Sequence, residues 1–179
     1  MIHPVETLMN EHRVIERGLD SLDGLCAGLS TDDPAIRVRL GELVRFFREY
    51  ADRVHHAKEE DRLFKALAAH GFSSQSGPVF VMLSEHEAGR LHVTKLAEVA
   101  GGAGALTSEE VEVIREHGTA FSVLLRGHIQ KEDNILFPMA AQVLQPPVVA
   151  ELRAAFDAFD ATAKLEELQA LANGTAGED

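Results

Sequence analysis

Apolar residues recur at intervals of three and four along nearly the whole chain, the spacing typical of amphipathic α-helices. The pattern predicts five helices, whose apolar positions span residues 5–22, 36–67, 78–96, 107–135 and 146–168. Aromatic β-formers are scarce, with no Trp and one Tyr, whereas Ala, Leu, Glu and Arg are abundant. The chain is therefore predicted to be all-α.

Capping and helix-breaking residues mark the limits of these helices. Thr31-Asp32-Asp33-Pro34 combines a cap with a proline in the first turn and predicts the start of the second helix. His70-Gly71 predicts its end, and Thr107-Ser108-Glu109-Glu110 predicts the start of the fourth helix. Pro138 is predicted to end or kink the fourth helix.

Four long helices with short connections favour an antiparallel bundle. We expect an up-down-up-down four-helix bundle over residues 1–143 and an additional amphipathic C-terminal helix over residues 144–172. That helix is expected either to pack on the bundle or to form a dimer interface, and the sequence leaves both alternatives open. Residues 173–179 are expected to form a flexible tail.

A short motif occurs twice and indicates that the two halves of the bundle are alike. Residues 55–64 align without gaps on residues 128–137, and both follow the pattern His-x-x-Lys-Glu-acid before a final Phe. Each copy is preceded, at nearly the same distance, by a Glu-His pair, Glu11-His12 and Glu85-His86. Such duplication predicts two similar helical hairpins that face each other across a pseudo-twofold axis.

The repeat places histidines and acids on the apolar faces of the helices. Residues four apart on a helix project the same way, so His55 pairs with Glu59 and His128 with Glu132. A lone histidine on an apolar face is usually a hydrogen-bonded core residue, but four on four helices with two matched acids favour a metal site. Uncompensated buried carboxylates would each cost several kcal/mol, and multivalent cations are the simplest compensation. The predicted metal ligands are His12, His55, Glu59, His86, His128 and Glu132.

The number and type of these ligands predict a pair of ions. Six ligands exceed the needs of one tetrahedral zinc, and two bridging glutamates would leave open positions on two octahedral ions. Imidazole and carboxylate suit iron, manganese or zinc, and a bridged, partly open pair most favours non-haem iron. Ferritin-like di-iron bundles are disfavoured because no histidine here follows a glutamate by three residues. His86-Glu87-Ala88-Gly89-Arg90 begins like a zincin motif but lacks its second histidine.

Taken together, the Glu-His pairs, both His-x-x-Lys-Glu copies and Phe137-Pro138 resemble the hemerythrin-like (HHE cation-binding) domain over about residues 3–140. The resemblance implies an up-down-up-down bundle that holds two non-haem iron ions with an oxo or hydroxo bridge. It also implies O2 binding or sensing, iron handling, or a response to nitric oxide or peroxide. All six predicted ligands fall on ligand positions of that family.

One position departs from the pattern of the oxygen-carrying hemerythrins. The resemblance implies a second histidine there, and this chain has Arg90 instead. The change opens a coordination position and brings a positive charge nearby, although Arg90 could equally pair with Glu87 or Glu85 at the surface. His56 is a candidate replacement ligand. Its helical neighbours are polar, however, and they predict that His56 is exposed to solvent.

Several other polar residues are secondary candidates. Glu16 follows His12 by four and could support the site, but an exposed helix acid is the favoured interpretation. Asp133 is an alternative metal ligand if the fourth helix bulges. Lys58 and Lys131 are expected to extend past the acids to the surface.

Composition narrows the classes of function. The chain has 179 residues, enough for one domain without disulfides, and a net charge of −12 argues against nucleic-acid or anionic-membrane partners. No apolar run reaches membrane-spanning length and no signal peptide is evident, so a soluble cytoplasmic protein is expected. No catalytic base or substrate pocket is evident, so a non-enzymatic protein with small diatomic or peroxide ligands is favoured. A peroxide-consuming or ferroxidase-like di-iron enzyme and a bundle with a structural cation are the alternatives.

Overall fold

The computed structural model of the chain describes residues 3–31, 33 and 35–173. Within these residues all regular secondary structure is helical, which confirms the predicted all-α class. The α-helices are α1 (Pro4–Ala27), α2 (Ile36–Phe46), α3 (Phe64–Ala68), α4 (Gly77–Ala100), α5 (Ser108–Lys131), α6 (Phe137–Val143), α7 (Pro146–Thr162) and α8 (Leu165–Ala172). Three π-helical stretches lie at Phe47–His56, Glu59–Leu63 and Glu132–Leu136. Of the helices in the described ranges, none combines the length and the apolar character that a membrane span requires.

Local capping explains where several helices begin and end. At the start of α5, Thr107 Oγ1 accepts from the Glu110 N–H at 3.2 Å and Glu110 Oε2 accepts from the Thr107 N–H at 2.8 Å. This reciprocal pair confirms the predicted start of the fourth helix. The turn after α3 places Gly71 at φ +89°, as predicted for a helix end. In the predicted cap before α2, Asp32 and Pro34 lie outside the described residues.

The long helical segments form a ring of neighbours. α1 packs against α2 and α5, and α4 packs against the same two helices. This closed ring is the arrangement expected of a four-helix bundle. The alternating direction of the helices stays a prediction.

The second and fourth segments are not α-helical throughout, in contrast to the prediction. The two π-helical stretches between α2 and α3, and the third between α5 and α6, widen the turns at the level of the repeated motif. Pro138 does not end the fourth segment, because it lies in the first turn of α6, directly after a wider turn that leaves room for its ring. The helix continues to Val143.

Two apolar clusters make up the core, and a polar layer separates them. On α1, Leu8 belongs to one cluster and Ile15 to the other, with His12 between them. His86 holds the corresponding position on α4. The candidate ligands therefore lie at the level where each long helix passes from one apolar cluster to the other.

The predicted C-terminal helix is two helices, because Ala163 adopts an extended conformation between α7 and α8. α7 packs against α1 and the Glu59–Leu63 stretch, and α8 packs against α1 and α2. Phe156 joins one apolar cluster and Leu171 the other. An oligomer formed through this region stays a prediction, as do the proposed domain boundaries. Of the predicted tail, residues 174–179 lie outside the described residues.

A close approach between α1 and α2 can be tested at Gly18. A Cβ at this position would lie 2.8 Å from Phe46 Cδ1 and closer still to Cε1, and Phe46 is fully buried. We expect Gly18→Ala to lower the free energy of unfolding by about 1–3 kcal/mol through overpacking. Urea denaturation of the metal-free protein measures the change.

Gly24→Ala is the matched control on the same helix, because a Cβ at Gly24 meets no atom within 4 Å. This change should raise the free energy of unfolding by roughly 0.5–1 kcal/mol, since alanine favours helix over glycine. Equal effects of the two substitutions would contradict the close packing of Gly18 on Phe46.

Candidate metal centre

The polar layer between the two apolar clusters contains all six predicted ligands. Each is at most 1% exposed, so the histidine rings face the interior. Every long helical segment contributes to the layer. The six residues are His12, His55, Glu59, His86, His128 and Glu132.

The ligand atoms fall into two groups suited to two ions. One group comprises His56, Glu59, His86 and His128, and the other His12, His55, Glu59 and Glu132. Within each group one ligand atom from every residue lies within 4.8 Å of all the others. Glu59 belongs to both groups, so its carboxylate lies where a bridging ligand would.

Several of these buried ligand atoms have no hydrogen-bond partner. Both oxygens of Glu59 and of Glu132 are buried without a hydrogen bond, as are Nε2 of His12 and Nε2 of His56. His12 Nε2 is 3.3 Å from Glu132 Oε2, but in a geometry that makes no hydrogen bond. An unpaired buried carboxylate is expensive, whereas a cation satisfies its oxygens and the imidazole nitrogens together. The residues therefore fit a bound metal.

The two buried acids respond differently to their surroundings. Burial, and then the nearby Glu132 carboxylate, raise the pKa of Glu59 well above its usual range. Burial also acts to raise the pKa of Glu132, but His128 and His12 outweigh it and lower that pKa well below its usual range. The acid shared by the two groups is thus the one whose charge most lacks compensation within the protein.

A ring of outer carboxylates orients the histidines. Because a carboxylate can only accept, each imidazole donates from Nδ1 and directs Nε2 inward. The Nδ1–H groups donate to Asp133 from His12 (2.7 Å), to Glu11 from His55 (2.9 Å), to Asp52 from His56 (3.3 Å), to Glu60 from His86 (2.7 Å) and to Glu85 from His128 (3.0 Å).

This orientation brings two ring nitrogens together at the centre. His86 Nε2 and His128 Nε2 are 3.1 Å apart. Two acceptors at this distance repel each other unless a proton or a cation lies between them. The contact is a second indication that the layer is built around positive charge.

Comparison with known proteins gives the family. Residues 3–140 match the family model described as the hemerythrin HHE cation-binding domain. The chain belongs to this family. The finding confirms the resemblance inferred from the sequence and makes this a cation-binding domain.

The relatives found for this HHE domain have low sequence identity to it. Uncharacterized protein Mb2018 of Mycobacterium bovis and uncharacterized protein Rv1995 of Mycobacterium tuberculosis are each 22% identical to it over 152 residues. The matches cover 85% of this chain and 59% of each relative, so the chain spans less than two thirds of their length. No solved structure gives a significant match.

The expected exposure of His56 is wrong. The residue is only 7% exposed, and its ring stacks on His86 with centroids 3.8 Å apart. The cause is the π-helical stretch Phe47–His56, whose wider turns let two consecutive residues, His55 and His56, face the same interior. The HHE domain thus gains a seventh candidate ligand, which α-helical periodicity had placed on the polar side.

Arg90 connects two of the outer carboxylates. Its guanidinium donates to Asp52 at 2.9 Å, to Glu60 at 2.7 Å and to Glu87 at 2.6 Å. Of the two surface partners that the sequence suggests, Glu87 is therefore confirmed and Glu85 is not among these three. Burial acts to raise the pKa of Asp52 and of Glu60, but hydrogen bonds from a histidine and from Arg90 lower both. The two acids stay ionised as acceptors for His56 and His86.

The acids predicted as secondary candidates lie outside both groups of ligand atoms. Asp133 accepts from His12 Nδ1 and from Arg13, so it orients a candidate ligand even though the fourth segment does bulge. Glu16 is half-buried and pairs with Arg13 at 2.9 Å, which agrees with a role at the surface.

Of the outer carboxylates, only Asp133 is a candidate from the sequence, although the repeat contains the signal for most of the others. Glu11 and Glu85, the acids of the Glu-His pairs, each accept from a histidine of their own half. Glu60 and Asp133, the acids that follow the ligand glutamates, accept from a histidine of the opposite half. Each of these acids therefore makes the same kind of contact as the acid at the equivalent position in the other half.

The expected exposure of Lys58 is also wrong. Its side chain is fully buried and its Nζ donates to Glu11 and to Asp160 on α7. The lysine is held inside because it neutralises the acid that orients His55. Lys131, the counterpart in the second half, pairs with Glu85 and is 40% exposed.

The histidines differ in how readily they become neutral. Burial lowers the pKa of His55 and of His56 well below the usual range, which keeps both in the form that binds metal. Burial acts likewise on His128, but Glu132 and Glu85 outweigh it and raise its pKa to about 9. A cation must therefore displace a proton at His128.

The buried lysine generates a test of stability. We expect Lys58→Met to lower the free energy of unfolding by about 3–5 kcal/mol, because it leaves Glu11 buried without its cation. Urea denaturation of the metal-free protein measures the loss.

Lys65→Met is the control, because Lys65 lies on the same segment and pairs with Asp61 at 2.8 Å in an exposed position. Its effect should stay within roughly 0.5 kcal/mol. Similar losses in the two variants would show that Lys58 contributes no more than a surface lysine.

Proposed function

We propose that this HHE domain holds two non-haem iron ions, joined by an oxo or hydroxo bridge, in an up-down-up-down bundle, and that it binds or senses O2, nitric oxide or peroxide. The observation that carries the proposal is the pair of ligand groups that share Glu59, with both of its oxygens unpartnered. His12, His55, Glu59 and Glu132 would hold one ion. His56, His86 and His128 would hold the other together with Glu59.

The chemistry of the donors supports iron. The two groups offer imidazole nitrogen and carboxylate oxygen without a thiolate, a set that suits iron, manganese and zinc. Ligand-sharing carboxylates favour a close pair of ions, and non-haem iron is the member of this series that binds O2 and nitric oxide. Zinc and manganese are expected to substitute in the same positions.

The surrounding residues prepare the site before any ion binds. The outer carboxylates fix the tautomer of each histidine, so that Nε2 faces the interior. The apolar clusters above and below the layer exclude bulk water from it. When bound, the di-iron centre supplies redox chemistry with small ligands, which protein side chains alone lack.

The composition of the centre is tested by metal analysis. We expect about two irons per chain in protein reconstituted with ferrous iron, because the ligand atoms form two groups. Glu59→Gln should reduce the content of both ions, since Glu59 belongs to both groups, whereas His12→Ala should reduce chiefly one. Elemental analysis and the visible absorption of a bridged ferric pair measure the result.

Two controls separate loss of ligands from loss of folding. Glu59→Gln replaces a buried acid, whose ionised form is costly at this position, with a neutral amide, so the metal-free variant should be at least as stable as the wild type. His70→Ala changes an exposed histidine at the end of a helix and should leave metal content unchanged. Full iron content in Glu59→Gln would contradict the shared-ligand assignment.

Reactivity distinguishes a binding protein from an enzyme. We expect the reduced, iron-loaded protein to change its absorption spectrum on mixing with O2 or nitric oxide, and the change should saturate at a fixed ratio of bound ligand to iron pairs. Stopped-flow spectroscopy measures the change, and the zinc-loaded protein is the matched control. Decay of added peroxide over many turnovers would instead support the enzymatic alternative, and no spectral response to any of the three ligands would leave a structural cation.

A further inference from the structure

A cavity of about 240 Å³ opens between the Phe47–His56 stretch, α4 and α5, on the side of the metal centre where His56 lies. Phe47, Phe121 and Leu125 form much of its apolar wall. Gly89 on α4 also lines the cavity, and a Cβ at this position would lie 3.4 Å from Phe121 Cε2. A dry protein cavity of about 150 Å³ can hold benzene, so this space accommodates a substituted single ring.

Polar side chains also line the cavity, and Asp52 among them offers an acceptor. Among the described residues, the hydrogen bonds and ion pairs of Asp52 use Oδ1, which accepts from His56 Nδ1 and from the Arg90 guanidinium. Oδ2 therefore retains its capacity to accept a hydrogen bond. Arg90, in contrast, directs Nε, Nη1 and Nη2 to carboxylates and has little left to donate to a ligand.

The charges around the cavity favour a neutral occupant. Arg48 and Arg90 line it together with Asp52 and Glu85, so the formal charges balance. A carboxylate ligand would lie beside two acids and an ammonium ligand beside two guanidinium groups. A neutral hydroxyl group avoids both repulsions and donates to a carboxylate, which gives a strong hydrogen bond.

The aromatic walls favour a flat ring. Phe47 and Phe121 meet edge to face, with centroids 4.8 Å apart and an interplanar angle of 77°. A third ring can extend such an arrangement with offset or edge contacts. Saturated rings of the same size present no comparable edge or face.

We propose that this cavity binds a neutral, single-ring aromatic molecule with one hydroxyl group, of the phenol class. The ring lies against Phe47 and Phe121, and the hydroxyl donates to Asp52 Oδ2. His56 is shared with the candidate metal ligands, so the bound molecule lies beside the metal centre. The cavity is formed by the chain itself, and binding is therefore independent of the proposed iron content.

Calorimetric titration of the full chain with phenol tests this site, on metal-free and metal-loaded samples whose metal content is measured in parallel. We expect saturable binding of one phenol per chain in both samples. Gly89→Leu, which fills the cavity, should weaken binding by at least about tenfold, the equivalent of 1.4 kcal/mol. Gly41→Leu is the matched control, because a Cβ at Gly41 on α2 meets no atom within 4 Å.

A second variant keeps the test decisive if Gly89→Leu fails to fold. Asp52→Asn should weaken phenol binding severalfold and leave toluene binding unchanged, because toluene fills the cavity without a hydroxyl. Absence of saturable phenol binding to the wild type, or equal phenol binding by Gly89→Leu and Gly41→Leu, would overturn the proposal. Tighter binding of benzoate or benzylamine than of phenol would overturn the assignment of a neutral ligand.

Discussion

The need to satisfy two carboxylates inside an apolar bundle is the constraint on which the rest of this structure depends. Glu59 and Glu132 are fully buried and none of their oxygens accepts a hydrogen bond within the described protein. A domain with a net stability of about 5–15 kcal/mol cannot keep two such defects unless something compensates them. The surrounding imidazoles provide only part of that compensation. A cation-binding domain is the consistent physical solution, and it agrees with the family of the chain.

The groups that surround the central acids form successive layers, in which hydrogen-bond donors or cations alternate with carboxylates. Carboxylates surround the histidines, and cations such as Lys58 and Arg90 in turn neutralise those carboxylates. Each layer needs the next, because a buried acid that orients a histidine is itself costly without a partner. Through Lys58 and Asp160 the network reaches α7, so this helix is connected to the centre by an ion pair as well as by apolar packing.

The π-helical stretches occur at the level of the ligands in both halves. Such wider turns are rare in proteins, and many of those that occur lie at functional sites. They direct side chains to positions that an α-helix cannot reach. In the first half the wider turns bring His55 and His56 inward together. His56 keeps its hydrogen bond to Asp52, and both residues of this stretch line the cavity that faces α4. One deviation from the α-helix thus changes both the candidate ligand set and the accessible space beside it.

The sequence alone determined the helical class, the internal repeat and the burial of all six predicted ligands. These follow from local rules, since apolar periodicity, capping pairs and four-residue spacing act over one or two helical turns. The tertiary structure decided which acid accepts from which histidine, the burial of Lys58 and the inward position of His56. Those outcomes depend on contacts between distant segments and on a change of helix type. A helical projection of the sequence assumes the same rotation at every residue. It therefore contains no information on contacts between distant segments or on a change from α-helix to π-helix.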